Sequence, residues 1–253
     1  MGDGWAIAVS VPEQPWELVG KPRAGGILLI GDHASNHVPV DIDLGIDPHL
    51  LDQHIAIDIG VAGVARQLVA RGMIDAAWLA AQSRLVVDLN RDEHAPGLIP
   101  IASDGHAIPG NALNHDQHVA RLDRFYRPYH ASLGALLAEA RPALILSLHS
   151  FTPALATSDE ARPWQVGVLY NQDDRAARLA IPLLEAEGLC VGDQLPYSGK
   201  ILNYTMNVHA EGNAIPYLGI EMRQDTAVDA ESQTVWATRL GRICNTVALK
   251  LAG

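Results

Sequence analysis

Two histidines, His33 and His149, each stand directly after an apolar run, and a glutamate, Glu221, sits inside a third. Neutral imidazole is a favoured zinc ligand, so histidines at neighbouring strand ends are candidates for a metal site. Hydrogen-bonded structural histidines are the plainer reading. A catalytic zinc needs a third protein ligand and an open position for water. Asp58, at the start of a helical pattern, is preferred as that ligand because a carboxylate is charged and hard. Asn36, three residues after His33, is the alternative. An ordinary helix N-cap would also account for Asp58. Asp52, His54 and His37 are weaker candidates, better suited to supporting or surface positions. Glu221 lies between Ile220 and Met222, and glutamate is rarely buried without a partner. It suits a general base that takes a proton from water and returns it to a leaving amine. A core ion pair with Arg223 or another arginine is the bland alternative.

The stretch Ser83-Arg84-Leu85-Val86-Val87-Asp88-Leu89-Asn90-Arg91 places an arginine at each end of an apolar centre. Arg91, beside Asn90, could hold a substrate carboxylate, because a guanidinium fork matches two oxygens. Arg84 could bind a second carboxylate or steady an oxyanion. Two structural salt bridges would also account for the pair. Other chemistries lack their signatures: there is no HExxH, GxSxG, GxGxxG or GxxxxGK[ST], and Gly199-Lys200 has its preceding glycine misplaced for a phosphate loop.

These residues need strands to hold them. Residues 27–30, behind Gly25-Gly26, read as a buried strand ending at Gly31-Asp32-His33. Further strands are expected over 76–81, 85–89, 143–148, 166–170 and 217–222. A helix is expected near Asp47-Pro48, continuing or restarting over 58–70 and ended by Gly72. Residues 92–113 read as a long surface loop. Asn114 and Gln117 have capping-box spacing ahead of a helix carrying Val119, Leu122, Phe125, Leu133 and Leu137 and stopping before Pro142. A last helix from about Ser232 places Trp236, Leu240, Ile243 and Val247 at helical spacing. The strand–helix alternation implies an α/β protein with a largely parallel sheet covered by helices. Such sheets place ligands beyond the C-terminal ends of their strands, where His33 and His149 fall.

Composition narrows the partners. The chain has 253 residues, 48% of them apolar, which is enough for one sizeable α/β domain spanning residues 1–253. A net charge of −11 argues against nucleic acid or an anionic membrane as the main partner. Cys190 and Cys244 form no CxxC pair, so ordinary reduced thiols are expected. Residues 1–11 lack the pattern of a signal peptide, and no apolar run is long enough to span a bilayer, giving a cytoplasmic, soluble reading.

Six segments, in order, resemble the N-formylglutamate amidohydrolase family: Gly31-Asp32-His33-Ala34-Ser35-Asn36, His54-Ile55-Ala56-Ile57-Asp58, Ser83 to Arg91, Leu148-His149-Ser150-Phe151-Thr152-Pro153, Arg162-Pro163-Trp164, and Gly219-Ile220-Glu221-Met222-Arg223-Gln224-Asp225. The resemblance implies a three-layer α/β/α, phosphorylase/hydrolase-like fold with a central mixed, largely parallel sheet, shared with zinc carboxypeptidases. It implies one zinc per chain, held by His33, His149 and an acidic residue. It also implies a carboxylate grip at Asn90-Arg91 and Glu221 as the base. The carboxypeptidase pattern has a glutamate where this chain has Asn36; Asp58 matches an aspartate of the formylglutamate family instead. Arg84 is then expected to stabilise the oxyanion. The implied reaction is hydrolysis of a small N-formyl or other N-acyl amino acid. A deacylase or carboxypeptidase-like enzyme acting on other N-acyl amino acids or short peptides is the nearest alternative. A non-catalytic carboxylate-binding protein on the same fold is the alternative from another class.

Overall fold

The computed structural model describes residues 14–253, so the leader reading of residues 1–11 lies outside the described residues. Among these, nine strands form: β1 (Trp16–Gly20), β2 (Ile27–Gly31), β3 (Ala76–Ala80), β4 (Ala102–Ser103), β5 (His106–Ala107), β6 (Leu144–Phe151), β7 (Val166–Leu169), β8 (Val191–Asp193) and β9 (Tyr217–Arg223). β4 and β5 make a small ribbon, and the other seven form one sheet in the order β1-β3-β2-β6-β9-β7-β8. β3, β2, β6 and β9 run parallel, while β1 and β7 pair antiparallel with β3 and β9. The sheet is thus mixed and largely parallel, as expected.

Five α-helices accompany it: α1 (Val61–Ala70), α2 (His115–Arg121), α3 (Arg127–Ala140), α4 (Arg175–Ala186) and α5 (Ala230–Ala252). Alternation along β3 shows how they divide, since successive strand residues face opposite sides. Leu79 faces the side where Val61 of α1 closes over Gly31, whereas Trp78 packs on Tyr129 of α3. α1, α4 and α5 pack together on the first face. With helices on both faces the central strands are apolar throughout: every residue of β2, β3 and β6 is buried. The result is the expected three-layer α/β/α arrangement.

Several local expectations are corrected. Residues 85–89 are not a strand. Their side chains are buried, but their backbone partners come from loops and side chains. Asn111 donates to the Leu85 carbonyl at 2.8 Å, Asp88 N donates to Leu98 at 2.7 Å, and Leu89 O accepts from Thr205 Oγ1 at 3.3 Å. Residues 92–113 are not wholly a surface loop, because Leu98, Ile99, Ile108 and Asn111 are buried and the β4–β5 ribbon lies within them. The helix capped by Asn114 and Gln117 forms with its capping box, but a π-helical turn at Leu122–Tyr126 interrupts it. Pro128 explains the break, since it has no N–H and its ring crowds the carbonyl four residues earlier. Near Pro48 only a 3₁₀ turn forms (Pro48–Asp52), and α1 starts at Val61 rather than Asp58. The last helix starts earlier than expected, because Asp229 caps it through the Ser232 N–H at 2.8 Å. Strict strand–helix alternation also fails, since no helix lies between β6 and β7.

Gly60 sets the junction between Asp58 and α1. Its φ is +89°, and a Cβ there would stand 2.5 Å from the Ala227 carbonyl oxygen. A non-glycine residue in this left-handed region costs of order 1–3 kcal/mol even without a clash. We expect Gly60→Ala to lower unfolding free energy by at least about 2 kcal/mol, read as a reduced denaturant midpoint at unchanged slope.

Candidate active site

The parallel strands deliver the candidate residues to one edge. β2 ends at Gly31 and hands the chain to Asp32 and His33. Two strands share the next part of the site, with His149 on β6 directly opposite Glu221 on β9. Asp58 is held against them by its own backbone, its N–H donating to the His33 carbonyl at 2.9 Å. One ligand atom from each of His33, Asp58 and His149 lies within 4.8 Å of the others, and all three residues are buried. In a tetrahedral zinc site with bonds near 2.0–2.1 Å, ligand atoms stand about 3.3 Å apart, so small side-chain adjustments would close this set on an ion.

Hydrogen bonds orient the set. Asp58 Oδ2 lies 2.9 Å from His149 Nδ1 and 3.4 Å from His33 Nδ1, while its Oδ1 accepts from Arg84 at 3.2 Å. His33 Nε2 is 2.7 Å from Asp88 Oδ1, which turns the other ring nitrogen toward Asp58. Asp88 also accepts from Arg84 at 3.1 Å, Arg91 Nε at 3.1 Å and the Asn90 N–H at 3.0 Å. His149 Nε2 faces Asp32 Oδ2 at 3.8 Å, and Tyr129 donates to the other Asp32 oxygen at 2.6 Å. A hydrogen-bonded carboxylate behind a histidine, as Asp88 stands behind His33, is the usual supporting arrangement of histidine metal sites, whereas Asp32 faces His149 without a hydrogen bond.

Charge in this pocket is matched to a cation. Burial opposes ionisation of Asp58, but His33, His149 and Arg84 outweigh it and hold the carboxyl well below the usual range. Burial likewise opposes the charge on Asp88, and His33 and Arg84 hold it low. For His33, burial and Arg84 favour the neutral ring, yet Asp88 and Asp58 prevail and raise it to about 9. A proton therefore takes the place where the donor set fits a metal ion. Glu221 differs: burial raises it to about 7, with His149 pulling the other way. Its Oε2, with Asp32 Oδ2, His149 Nε2 and Ser150 Oγ, is a buried polar atom with no hydrogen-bond partner. Such a concentration of unpaired groups fits a site completed by a ligand.

A cavity of about 390 Å³ opens onto this cluster, and His33, Asp58, Arg84, Asn90, Arg91, His149 and Glu221 all line it. All seven site residues expected from the sequence therefore meet in one place. Asn36 does not: its amide donates to Asp52 at 2.9 Å, away from the lining. Glu221 makes no pair with Arg223, which binds Asp225 at 2.8 Å instead. His54 does line the cavity, paired with Asp104 at 3.0 Å. The guanidinium of Arg84 is engaged by Asp58 and Asp88. Sequence reasoning gave no role to Asp88, although its spacing from Arg84 and Arg91 was visible, nor to Asp104 and Tyr197, which reach the lining from remote loops. Cys190 and Cys244 are free thiols, as expected.

The model of the N-formylglutamate amidohydrolase family matches residues 25–228. A gene product of Agrobacterium tumefaciens, known from its crystal structure, superposes with a TM-score of 0.88 at 27% identity, over 96% of this chain and 98% of that one. An N-formylglutamate amidohydrolase from Ralstonia eutropha superposes with a TM-score of 0.69 at 18% identity, over 95% of this chain and 99% of that one, a likeness of fold. No curated protein matches.

Removal of the charge at Asp88 tests whether the His33, Asp58 and His149 cluster holds a metal. We expect Asp88→Asn to weaken zinc binding by about 10–100-fold in competition with a chelator. In metal-free protein the raised His33 contributes stability that is complete below about 6.5 and is lost as pH rises through about 9. Denaturation at pH 6 and pH 9.5 should show that loss in the metal-free wild type and a smaller one in Asp88→Asn.

Proposed function

The chain belongs to the N-formylglutamate amidohydrolase family, and from that premise we propose that it is a zinc-dependent amidohydrolase. It cleaves the amide of an N-formyl or other N-acyl amino acid, such as N-formylglutamate, to a carboxylic acid and a free amino acid. The carrying observation is the convergence of His33, Asp58 and His149, with the unpaired Glu221 beside them in one cavity. His33, Asp58 and His149 would hold the ion. A bound divalent metal supplies Lewis acidity toward the amide carbonyl and makes water more acidic.

The protein's own residues do the rest. Glu221, poised near neutrality, takes a proton from the attacking water and delivers it to the leaving nitrogen. Arg91 offers its terminal nitrogens to the substrate α-carboxylate. Its Nε is fixed on Asp88 and its carbonyl on the Tyr126 hydroxyl, at 2.7 Å, so the fork is aimed before substrate arrives. Asn90 flanks it, with its amide oxygen accepting from the Thr205 N–H at 3.0 Å. Arg84 keeps Asp58 and Asp88 ionised and presents positive charge to the oxygen that becomes negative in the transition state. A single domain supplies all of these groups. A cavity of about 390 Å³ leaves space beyond a formyl group, which favours deacylation of larger N-acyl amino acids as the second reading.

We expect purified protein to bind about one zinc per chain and His149→Ala to lose it, by elemental analysis. Glu221→Gln should keep the zinc and lower kcat by about 10²–10⁴-fold on the best member of an N-acyl amino acid panel. A variant with full zinc and full activity would remove Glu221 from the mechanism.

A further inference from the structure

Two further histidines, His130 and His209, take no part in the cluster around Asp58. His209 is buried and His130 partly so. His130 Nδ1 lies 3.0 Å from His209 Nε2, and the two ring planes differ by 5°. The other nitrogen of His130, Nε2, lies 3.1 Å from the Leu89 carbonyl oxygen. Burial holds His130 down to about 4 and lowers His209 as well, against the pull of Asp32, so both rings are neutral near pH 7. Neutrality fixes the direction of the chain. A carbonyl only accepts, so the His130 proton is on Nε2; its Nδ1 then accepts, and His209 donates from Nε2. Ending on a peptide carbonyl, the chain has no base to which it could deliver a proton. It is an arm that holds a peptide, not a path for protons.

The peptide it holds is the one before the expected carboxylate grip. Leu89 O accepts from His130 and, at 3.3 Å, from Thr205 Oγ1, while the N–H of the same peptide unit, on Asn90, donates to Asp88 at 3.0 Å. A peptide is planar, so fixing its oxygen and its N–H fixes its orientation. Asn90 and Arg91 leave from that plane. The supporting groups come from two π-helical turns far apart in the chain. Leu122–Tyr126, which runs into α3 and so places His130, supplies Tyr126 to the Arg91 carbonyl at 2.7 Å. Met206–Ala210 carries His209 and is preceded by Thr205, whose N–H reaches the Asn90 amide oxygen at 3.0 Å. Such turns redirect side chains and are frequent at functional sites. Filling this space would need only apolar side chains; a directed pair of imidazoles is needed to orient a peptide.

We propose that His130 and His209 are positioning residues for substrate binding: by setting the Leu89–Asn90 peptide they aim Asn90 and Arg91 at the substrate α-carboxylate. The inference rests on the reading of Asn90 and Arg91 as the carboxylate grip, and its test reads binding rather than turnover.

Zinc-loaded Glu221→Gln protein, alone and with His130→Phe, His130→Gln or His209→Phe added, is titrated calorimetrically with N-formylglutamate and with its α-carboxamide. We expect the parent to bind the free acid at least about tenfold more tightly, as hydrogen bonds to a charged group imply. His130→Phe keeps a ring of similar size and removes both bonds. It should weaken the acid by about fivefold to tenfold and the carboxamide by less than about twofold, with zinc content unchanged. His130→Gln, whose amide nitrogen can replace Nε2 as donor to Leu89, should recover most of that loss. Should His130→Phe not fold, His209→Phe keeps the donor to Leu89 and removes what orients it, with an expected loss of about threefold for the acid alone. Nitrogen-15 spectra of the parent should show both rings as the Nε2–H tautomer; a proton on His130 Nδ1 would overturn the chain as drawn. Equal losses for both ligands, no loss for either, or zinc lost in step with affinity would overturn the proposal while leaving the grip itself in place. No preference for the acid in the parent would reject the grip and this inference with it. Turnover by wild type is scored separately: a preference that His130→Phe abolishes, in a protein without turnover, would uphold this inference and reject the hydrolase reading.

Discussion

Asp88 is the constraint on which the rest of the site depends. One buried carboxylate takes His33 Nε2, Arg84, Arg91 and the Asn90 N–H. It thereby joins a group that would face the metal to the groups that would face the substrate carboxylate. Isolated, such a charge would be strongly disfavoured by burial, and here the surrounding cations reverse the balance. That reversal requires the Ser83–Arg91 backbone to be fixed, and its fixing explains the irregular structure around it. Asn111 holds the Leu85 carbonyl while its own side-chain oxygen accepts from Arg121 at 2.6 Å. His130 Nε2 meets the Leu89 carbonyl at 3.1 Å, with its other ring nitrogen 3.0 Å from His209. Tyr126, in the π-helical turn, anchors Arg91. A strand would have given these carbonyls to a neighbouring strand instead and left no side chains to aim the segment.

This is also why the segment misleads as sequence. Leu85-Val86-Val87 has the composition of a strand, and burial of its side chains agrees, but the backbone bonds of this segment go to scattered partners, among them Leu98, Asn111 and Thr205, that no local pattern foretells. Where chemistry sits on regular structure the sequence is far more legible. His33 and His149 each follow an apolar run, the second of which β6 carries on to Phe151, and Glu221 lies within the run that becomes β9. Their meeting follows from parallel pairing of adjacent strands, a general property of such sheets. The short edge strands β1 and β8 carry too little apolar pattern to be seen. Asp104 and Tyr197 are invisible for a related reason, since each reaches the cavity from a loop whose path no periodicity encodes. Asn36 was a reasonable candidate by spacing alone, and a bond to Asp52 takes it elsewhere.

The chain is acidic overall, at −11, yet Arg84 and Arg91 gather at its cavity. The resolution lies in how charge is distributed across the cavity. Asp58 and Asp88 are consumed by histidines and Arg84, and Asp104 is held by the Ala156 and Thr157 N–H groups at 3.0 Å each. Arg91 spends only its Nε on Asp88, and Arg162 has no carboxylate of its own. A divalent ion at His33, Asp58 and His149 would add positive charge between them. The inner wall would then favour an anion although the chain as a whole is acidic.

Glu221 completes this logic by contrast. It lies beside the same histidines as Asp58, yet burial pushes its carboxyl up to about 7 while Asp58 is held far below. The difference is one of partners. Asp58 receives Arg84, His149 and the Ser150 N–H, whereas Glu221 keeps an unpartnered oxygen. A carboxylate that is always charged makes a good ligand and a poor proton carrier; one balanced near neutrality is the reverse. Two acidic residues lining one cavity are thus held in different states by burial, neighbouring charge and hydrogen bonding together. Any substitution that gave Glu221 a buried donor would stabilise its charge and, by the same step, weaken it as a base.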